Sequence, residues 1–221
     1  TGYARYAAYC QAFRQVAELR RLRADAAEAA AAGLGLRNLA AGEIHFPAFL
    51  TLVSDLLGAP AGGRPLGRRP RFLDLGSGLG RAVVAFALCF GADEAGDPAA
   101  GGEAGPIAVG VEIREKVHRV VAEAVLPALP AAARRQVAFM CKDMFDVPCS
   151  DADVLLVNGT GLEDAVFARL RRKLECEVRA GARIMSLSLP LAGGAFEELP
   201  GSGQAYRMSW GNCAVFLYRK R

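Results

Sequence analysis

The sequence lacks the features that would place it in a membrane. It has no run of about 18 uninterrupted apolar residues, the length needed to cross a bilayer. The first residues, 1–5, do not show the charged and then apolar pattern of a signal peptide. We therefore expect neither a membrane-spanning nor a targeting segment. The chain does not begin with Met, which indicates a fragment of a longer protein.

The sequence also lacks clustered metal ligands and paired cysteines. Its two histidines lie far apart, and its six cysteines are scattered without a CxxC pair. A zinc site, or any other metal site, is therefore not expected. Most of the cysteines lie in apolar runs, so we expect reduced thiols in a cytosolic or nuclear protein.

The net charge is too small to identify a nucleic-acid-binding protein by itself. The 27 Lys and Arg residues against 23 Asp and Glu residues give a charge of +4. The basic residues are clustered, however, at positions 20–23, 64–71 and 219–221. We interpret these clusters as solvated surface, with contact to nucleic acid as the alternative.

The chain divides into a helical N-terminal part and a regularly alternating main part. Its 221 residues suit one α/β domain with a short extension. We place the extension at residues 1–66, with helices over 3–32 and 46–57, and the main domain at residues 67–221. The Gly-, Ala- and acid-rich segment 92–106 is interpreted as a flexible insertion within that domain.

In the main domain, apolar strands alternate with helices. Strands are predicted at 71–75, 107–111, 137–141, 152–157 and 183–187, and helices at 80–90, 114–126 and 163–178. Such an alternation predicts an α/β fold with a parallel sheet covered by helices. The runs 206–210 and 214–218 have no helix between them and should form an antiparallel hairpin. This order is typical of the class I methyltransferase (Rossmann-like) sheet, whereas an NAD-binding sheet would continue its helix crossovers.

A glycine loop follows the first predicted strand and opens a helix. Its glycines let the backbone approach a ligand, and the helix N-terminus offers free N–H groups. The spacing is GxGxG, not the GxGxxG of dinucleotide enzymes. The carboxylate of Asp74 would repel a pyrophosphate but can bind the positively charged methionine end of S-adenosylmethionine. We therefore predict S-adenosylmethionine as the cofactor. The residues expected to hold it here are Asp74, Leu75, Gly76, Ser77, Gly78, Gly80 and Arg81.

Polar residues also follow the next three predicted strands. Glu112 can accept hydrogen bonds from both ribose hydroxyls, and Asp143 can accept one from the adenine amino group while Met144 or Phe145 packs on the ring. Asn158 carries a neutral amide that can hold the cofactor or a substrate amine. The carboxyl ends of parallel strands meet at one edge, so these groups should converge on one crevice. The structural alternatives are a helix N-terminal acid for Glu112 and turn residues for Asp143 and Asn158.

Several short blocks, in order from about residue 41 to 218, together resemble the Dot1 family of histone H3 lysine methyltransferases. The blocks are Gly42-Glu43-Ile44, Asp74-Leu75-Gly76-Ser77-Gly78-Leu79-Gly80, Gly110-Val111-Glu112, Asp143-Met144, Val157-Asn158, Gly181-Ala182-Arg183-Ile184-Met185-Ser186, and Ser209-Trp210 through Tyr218. The chain departs from the family pattern at Ala41, which replaces a tyrosine, at Gly159-Thr160, which replaces Asn-Phe, and at Leu217 in an otherwise aromatic end.

The resemblance implies a protein lysine N-methyltransferase that acts on histone H3 in the nucleus, with contact between the basic segments and nucleosomal DNA. It adds Gly42, Glu43 and Ile44 to the cofactor site and assigns Asn158 and Tyr218 to the channel for the substrate lysine. A methyltransferase for a non-histone protein lysine, a small-molecule methyltransferase and a non-catalytic cofactor- or chromatin-binding domain remain alternatives. The lack of a large lid-like insertion favours a protein substrate over a small molecule.

Overall fold

A computed structural model describes residues 2–14, 44–58, 69–91, 106–208 and 211–221. In these ranges an eight-stranded sheet carries helices. The elements are α1 (Gly2–Arg14), α2 (Phe46–Leu57), β1 (Phe72–Leu75), α3 (Arg81–Phe90), β2 (Ala108–Glu112), α4 (Glu115–Val120), α5 (Ala131–Arg135), β3 (Val137–Cys141), β4 (Val154–Asn158), α6 (Asp164–Glu177), β5 (Arg183–Leu187), β6 (Phe196–Glu198), β7 (Gln204–Met208) and β8 (Gly211–Lys220). None of the helices in the described ranges is both long and apolar enough to cross a bilayer.

The sheet has the strand order β3-β2-β1-β4-β5-β8-β6, with β7 also paired to β8. Strands β1 to β5 are parallel, and β8 pairs antiparallel with β5. The predicted class I methyltransferase sheet and its antiparallel C-terminal hairpin are therefore confirmed. Because β2 and β4 flank β1 on opposite sides, the strand order reverses there and a crevice opens at the carboxyl ends.

The helix predicted after β2 differs from the observed one, and two short elements, α5 and β6, were not predicted. The helix predicted over 114–126 is not a regular α-helix along its whole length. Helix α4 passes into a π-helical turn, Val121–Val125, and then into a last α-helical turn, Leu126–Ala128. Pro127 explains this change, because it has no N–H to donate and its ring crowds the carbonyl four residues earlier. Strand β6 was not predicted, since three residues are too short to show an alternating pattern.

The helices of the N-terminal extension share the core of the main domain. Tyr9, Ala12 and Phe13 of α1 belong to the same buried cluster as the apolar residues of α2, α3 and one face of the sheet. A second cluster joins the opposite face of the sheet to α6. The predicted helix beyond residue 14, the insertion at 92–105 and the domain boundary at residues 66 and 67 lie outside the described residues.

A stack of phenylalanine rings joins α2 and α3 to the central strand. The ring centroids of Phe72 and Phe86 are 4.7 Å apart, those of Phe86 and Phe90 4.8 Å, and those of Phe49 and Phe72 5.6 Å. The side chain of Phe86 is fully buried between its neighbours. This stack fixes α3, and with it the end of the glycine loop, against β1.

Replacement of Phe86 by Ala tests the importance of this stack. We expect the substitution to lower the free energy of unfolding by about 3–5 kcal/mol, because it leaves a cavity in the core. Tyr3→Ala is the control, since Tyr3 is 83% exposed and its loss should change stability by no more than about 0.5 kcal/mol. Urea unfolding followed by circular dichroism measures both values. Equal effects of the two substitutions would contradict the packing described here.

Candidate functional site

The glycine loop connects the end of β1 to the start of α3 and is tied to β2. The backbone N–H groups of Gly76 and Ser77 both donate to the carbonyl of Val111, at 2.9 and 2.8 Å. Gly76, Gly78 and Gly80 have φ angles of 87°, 53° and 76°. These values lie in the left-handed region, which residues with a Cβ enter only at a cost. At Gly80, an added Cβ would also lie 2.3 Å from the ring of Phe139.

Gly80→Ala and Gly181→Ala separate the two reasons why position 80 favours glycine, which are the positive φ angle and the close approach of the Phe139 ring. Both glycines have positive φ, 76° and 83°, but a Cβ at Gly181 would meet nothing within 4 Å. We expect both variants to lose about 1–2 kcal/mol to backbone strain, and Gly80→Ala to lose a further 1–3 kcal/mol, roughly, to the contact with Phe139. Thermal or urea unfolding measures the difference. Equal losses would mean that Phe139 moves aside freely.

A cavity opens where the carboxyl ends of β1, β4 and β5 meet. Its polar lining consists of Asp74, Gly76, Ser77, Arg81 and Asn158, and its apolar lining of Ile44, Ala82, Leu156 and Leu187. The sequence therefore predicted the polar lining but, apart from Ile44, not the apolar wall, which depends on how the strands and helices pack.

Two of the polar residues that line this cavity are buried. Asp74 is 3% exposed and Ser77 is 7% exposed. Ser77 Oγ has no hydrogen-bond partner in the described part of the chain. A buried hydroxyl without a partner is unfavourable, so a ligand that supplies a hydrogen bond to Ser77 would be stabilised there.

Arg81 connects the cavity to the N-terminal helix. It is the first residue of α3, and its guanidinium carbon lies 4.3 Å from the ring centroid of Phe13 and 5.9 Å from that of Tyr9. A cation over an aromatic ring is attracted by the ring quadrupole. Helix α1 therefore helps to hold a positive charge in the lining of a cavity that also contains the carboxylate of Asp74.

Glu112 lies at the end of β2, as predicted, and all of its acceptor positions are in use. Its Oε1 accepts hydrogen bonds from Arg114 N and Arg114 Nε, both at 2.9 Å. Its Oε2 accepts from Gly78 N at 3.0 Å and from Arg114 Nη2 at 3.3 Å. A carboxylate has about four lone-pair positions. A ligand hydroxyl can therefore bind Glu112 only in place of one of these donors.

Asp143 and Met144 follow β3, next to the end of β2, but they are not among the residues that line the cavity. Asp143 Oδ1 accepts a hydrogen bond from Phe145 N at 2.9 Å and so caps the short 3-10 helix Met144–Asp146. Helix α6 holds this turn, because the Arg169 guanidinium lies 3.7 Å from the Phe145 ring centroid and Lys173 Nζ donates to the Phe145 carbonyl at 3.3 Å. Asp143 thus stabilises the turn through Oδ1, and its other carboxylate oxygen, Oδ2, takes no part in this hydrogen bond.

The two residues assigned to the lysine channel have different positions. Asn158 lines the cavity, and its Oδ1 accepts a hydrogen bond from Thr160 N at 3.0 Å. The assignment of Tyr218 to the channel is wrong. Tyr218 pairs with Ile184 near the amino end of β5, whereas the cavity residue Leu187 pairs with Val215.

Tyr218 is a core residue. It is 4% exposed and belongs to the cluster on the α6 side of the sheet, while the cavity wall belongs to the other cluster. Its hydroxyl oxygen accepts a hydrogen bond from Leu191 N at 3.1 Å. Burial raises the pKa of the Tyr218 phenol, so it stays protonated at neutral pH and cannot act as a base.

Of the cofactor residues that the resemblance added, one is positioned beside the cavity and the others lie outside the described ranges. Ile44 is buried beside the cavity and forms an isolated β-bridge with Met208. Gly42 and Glu43 lie outside the described residues, as do Ser209 and Trp210. Within the described ranges, no group of three His, Cys, Asp or Glu residues could hold a metal ion.

Ile113 is a candidate that the sequence interpretation missed. It follows Glu112 directly, at the end of β2, and is 40% exposed. An exposed apolar residue beside an acid at a strand end provides a surface for a flat, apolar group. The sequence did contain a signal for Ile113, because this isoleucine directly follows the predicted acid, Glu112, and lies beyond the end of the strand.

Comparisons with known proteins give the fold and no closer relationship. No protein-family model matches the chain, and no curated protein matches it. Among solved structures, it is similar to magnesium protoporphyrin IX methyltransferase (ChlM) from Synechocystis PCC 6803 with bound SAM, with 13% identity over 80% of each chain and a TM-score of 0.55. It is also similar to TrmN from Thermus thermophilus, with 18% identity, 80% of this chain and 52% of that chain covered, and a TM-score of 0.52.

At these identities the likeness defines the fold, which is that of the class I methyltransferases. Neither structure is described as a Dot1 protein or as a protein lysine methyltransferase.

Proposed function

We propose that this protein is an S-adenosylmethionine-dependent methyltransferase. The observation that carries the proposal is the cavity at the carboxyl ends of β1 and β4, which combines a glycine loop with the buried carboxylate of Asp74. Glu112 stands at the end of the adjacent strand and contacts the same loop. The fold shared with methyltransferase structures, one of them described with bound SAM, supports the proposal.

The residues of the cavity fit the methionine end of this cofactor. Its ammonium group is complementary to the carboxylate of Asp74, and its carboxylate is complementary to the guanidinium of Arg81. The hydroxyl of Ser77 can form a further hydrogen bond, since it has no partner in the described ranges. A buried carboxylate and a cation in one cavity suit a ligand that carries both charges.

Glu112 fits the ribose once the Arg114 side chain moves. Arg114 Nε and Nη2 occupy two of the acceptor positions of the Glu112 carboxylate. Two ribose hydroxyls supply two donors and can replace them, while Gly78 N keeps its own hydrogen bond. Ile113 then offers an apolar surface for the adenine ring. The sulfonium of the bound cofactor supplies a methyl group that already carries its leaving group, so the protein has to orient the acceptor and exclude water.

Isothermal titration calorimetry with S-adenosylhomocysteine tests the cofactor assignment. We expect Asp74→Asn and Glu112→Gln each to weaken binding by about 10- to 100-fold, because each removes a charge-assisted hydrogen bond. Asp151→Asn is the matched control, since the side chain of Asp151 is 83% exposed and should not affect affinity. Unchanged affinity in the two cavity variants, with their fold verified by circular dichroism, would contradict the assignment.

For the methyl acceptor, we propose a lysine of histone H3 in nucleosomes, which places the protein in the nucleus. The support is the resemblance of the sequence blocks to the Dot1 family. The basic segments proposed to contact DNA are residues 64–71 and 219–221; within them, Arg71 is ion-paired with Asp151 and Arg219 with Glu197.

Transfer of a labelled methyl group identifies the acceptor. The protein is incubated with labelled S-adenosylmethionine and, separately, with nucleosomes, free histones, whole-cell protein, RNA and a small-metabolite extract. We expect label on H3 lysine in nucleosomes, and transfer that falls as salt rises, because phosphate contacts are screened. Asp74→Asn is the negative control. Label on RNA, on a metabolite or on another protein would contradict the histone assignment while leaving the methyltransferase assignment intact.

A further inference from the structure

The guanidinium of Arg81 packs against two aromatic side chains of α1. Its carbon atom lies 4.3 Å from the ring centroid of Phe13 and 5.9 Å from that of Tyr9. The two rings are neighbours on the helix, with centroids 5.0 Å apart. Because Arg81 is the first residue of α3 and follows the glycine loop, its side chain connects the loop to the N-terminal helix.

The two aromatic side chains are themselves fixed in place. Tyr9 and Phe13 are both buried and belong to the cluster that joins α1 to α2, α3 and one face of the sheet. The ring centroid of Tyr9 also lies 4.7 Å from that of Phe46, the first residue of α2. Side chains in a close-packed cluster have little freedom to move. The rings therefore give the Arg81 guanidinium a rigid surface to pack on.

The contact with Phe13 restrains the cation without neutralising it. An aromatic ring attracts a cation through its quadrupole and carries no net charge. A carboxylate in the same place would hold the guanidinium too, but it would cancel the positive charge. The side chain of Phe13 thus fixes the position of Arg81 and contributes no negative charge of its own.

A restrained guanidinium binds an anion at a lower cost in entropy. An arginine side chain has many conformations and loses most of them when it binds a ligand. A side chain that is already held in the bound conformation loses fewer, which raises the affinity. Arg81 lines the same cavity as the carboxylate of Asp74, so the restraint acts inside the cofactor site.

We propose that Phe13 positions Arg81 for the carboxylate of S-adenosylmethionine, so that the site selects ligands with the complete amino-acid end over ligands that lack this carboxylate. The inference rests on the proposed methyltransferase function. Phe13 is a positioning residue, since it contacts Arg81 and is not among the residues that line the cavity. Helix α1, which lies outside the sheet, is then a functional part of the cofactor site.

Isothermal titration calorimetry with two ligands tests the proposal. S-adenosylhomocysteine carries both an ammonium group and a carboxylate, whereas its decarboxylated analogue keeps the adenosine, the thioether and the ammonium group alone. We expect the wild type to bind S-adenosylhomocysteine about 10- to 100-fold more tightly, because only this ligand forms charge-assisted hydrogen bonds with Arg81. The ratio of the two dissociation constants measures the contribution of the carboxylate.

Substitutions in α1 test the role of the rings. Phe13→Leu should weaken S-adenosylhomocysteine binding by about three- to tenfold, because Arg81 loses its restraint, and should leave the affinity for the analogue unchanged. Phe13→Tyr keeps a ring and should keep the wild-type ratio. Tyr9→Leu should reduce the ratio less, since the Tyr9 ring lies further from the guanidinium.

Phe90→Leu is the matched control. Phe90 is a buried aromatic residue of the same cluster, but it lies at the other end of α3 from Arg81. Its replacement should leave the ratio of the two dissociation constants unchanged. A variant that is partly unfolded loses apparent affinity for both ligands equally, so the ratio does not respond to a loss of stability.

A double-mutant cycle links the effect to the guanidinium. Arg81→Met removes the charge and should bring the two ligands to about equal affinity. Addition of Phe13→Leu to Arg81→Met should then cause no further change, because the ring acts through Arg81. An effect of Phe13→Leu that persists without the guanidinium would mean that the ring acts in another way.

Four results overturn the proposal. They are equal affinity of the wild type for the two ligands, an unchanged ratio in Phe13→Leu, the same reduction of the ratio in Phe90→Leu, and an additive effect in the double mutant. The wild-type comparison needs no variant, and Tyr9→Leu replaces Phe13→Leu if that variant fails to fold. Failure of the wild type to bind either ligand would contradict the proposed function, and this inference with it. Binding of both ligands with equal affinity would contradict the inference alone.

Discussion

The attachment of the glycine loop to the end of β2 is the interaction on which the rest of the site depends. Val111 accepts two N–H groups from the loop, and the Glu112 side chain accepts a third from Gly78. These bonds keep the loop at the carboxyl end of the sheet while it turns from β1 into α3. Gly110 leaves the room for this arrangement, because a Cβ there would lie 2.7 Å from Ser77 Oγ. Carboxylates from two strands are thereby brought to one crevice.

The sheet and the cofactor side of the cavity could be predicted because their signals are local. Alternation of strands and helices fixes a parallel sheet, and strand ends in a parallel sheet converge. Asp74, Ser77 and Asn158 could be placed in the cavity from these rules alone. The short strand β6 and the π-helical turn could not be predicted in this way. Strand β6 depends on its pairing with β8, and the π-helical turn depends on one proline, Pro127.

The wrong assignment of Tyr218 comes from the strand register, which the sequence does not show. Tyr218 lies three residues from Val215 on β8, which places it on the opposite face and about 10 Å further along the strand. Only the pairing of β8 with β5 reveals this. Side-chain conformation could not be predicted either: Glu112 was predicted to accept hydrogen bonds from the ribose hydroxyls, and in the structure the side chain of Arg114 folds back onto its carboxylate. Segments outside the sheet matter as well, since Phe13 and Tyr9 of α1 hold Arg81 at the cavity.

Whether this crevice binds S-adenosylmethionine can be decided by a crystal structure of the protein with S-adenosylhomocysteine. We expect density for the ligand's ammonium group beside Asp74 and for its ribose on Glu112, with the Arg114 guanidinium displaced from the Glu112 carboxylate. The Ser77 hydroxyl should contact the ligand. A ligand bound elsewhere, or an intact Arg114 to Glu112 ion pair beside a bound ribose, would show that the crevice does not bind the cofactor through these residues.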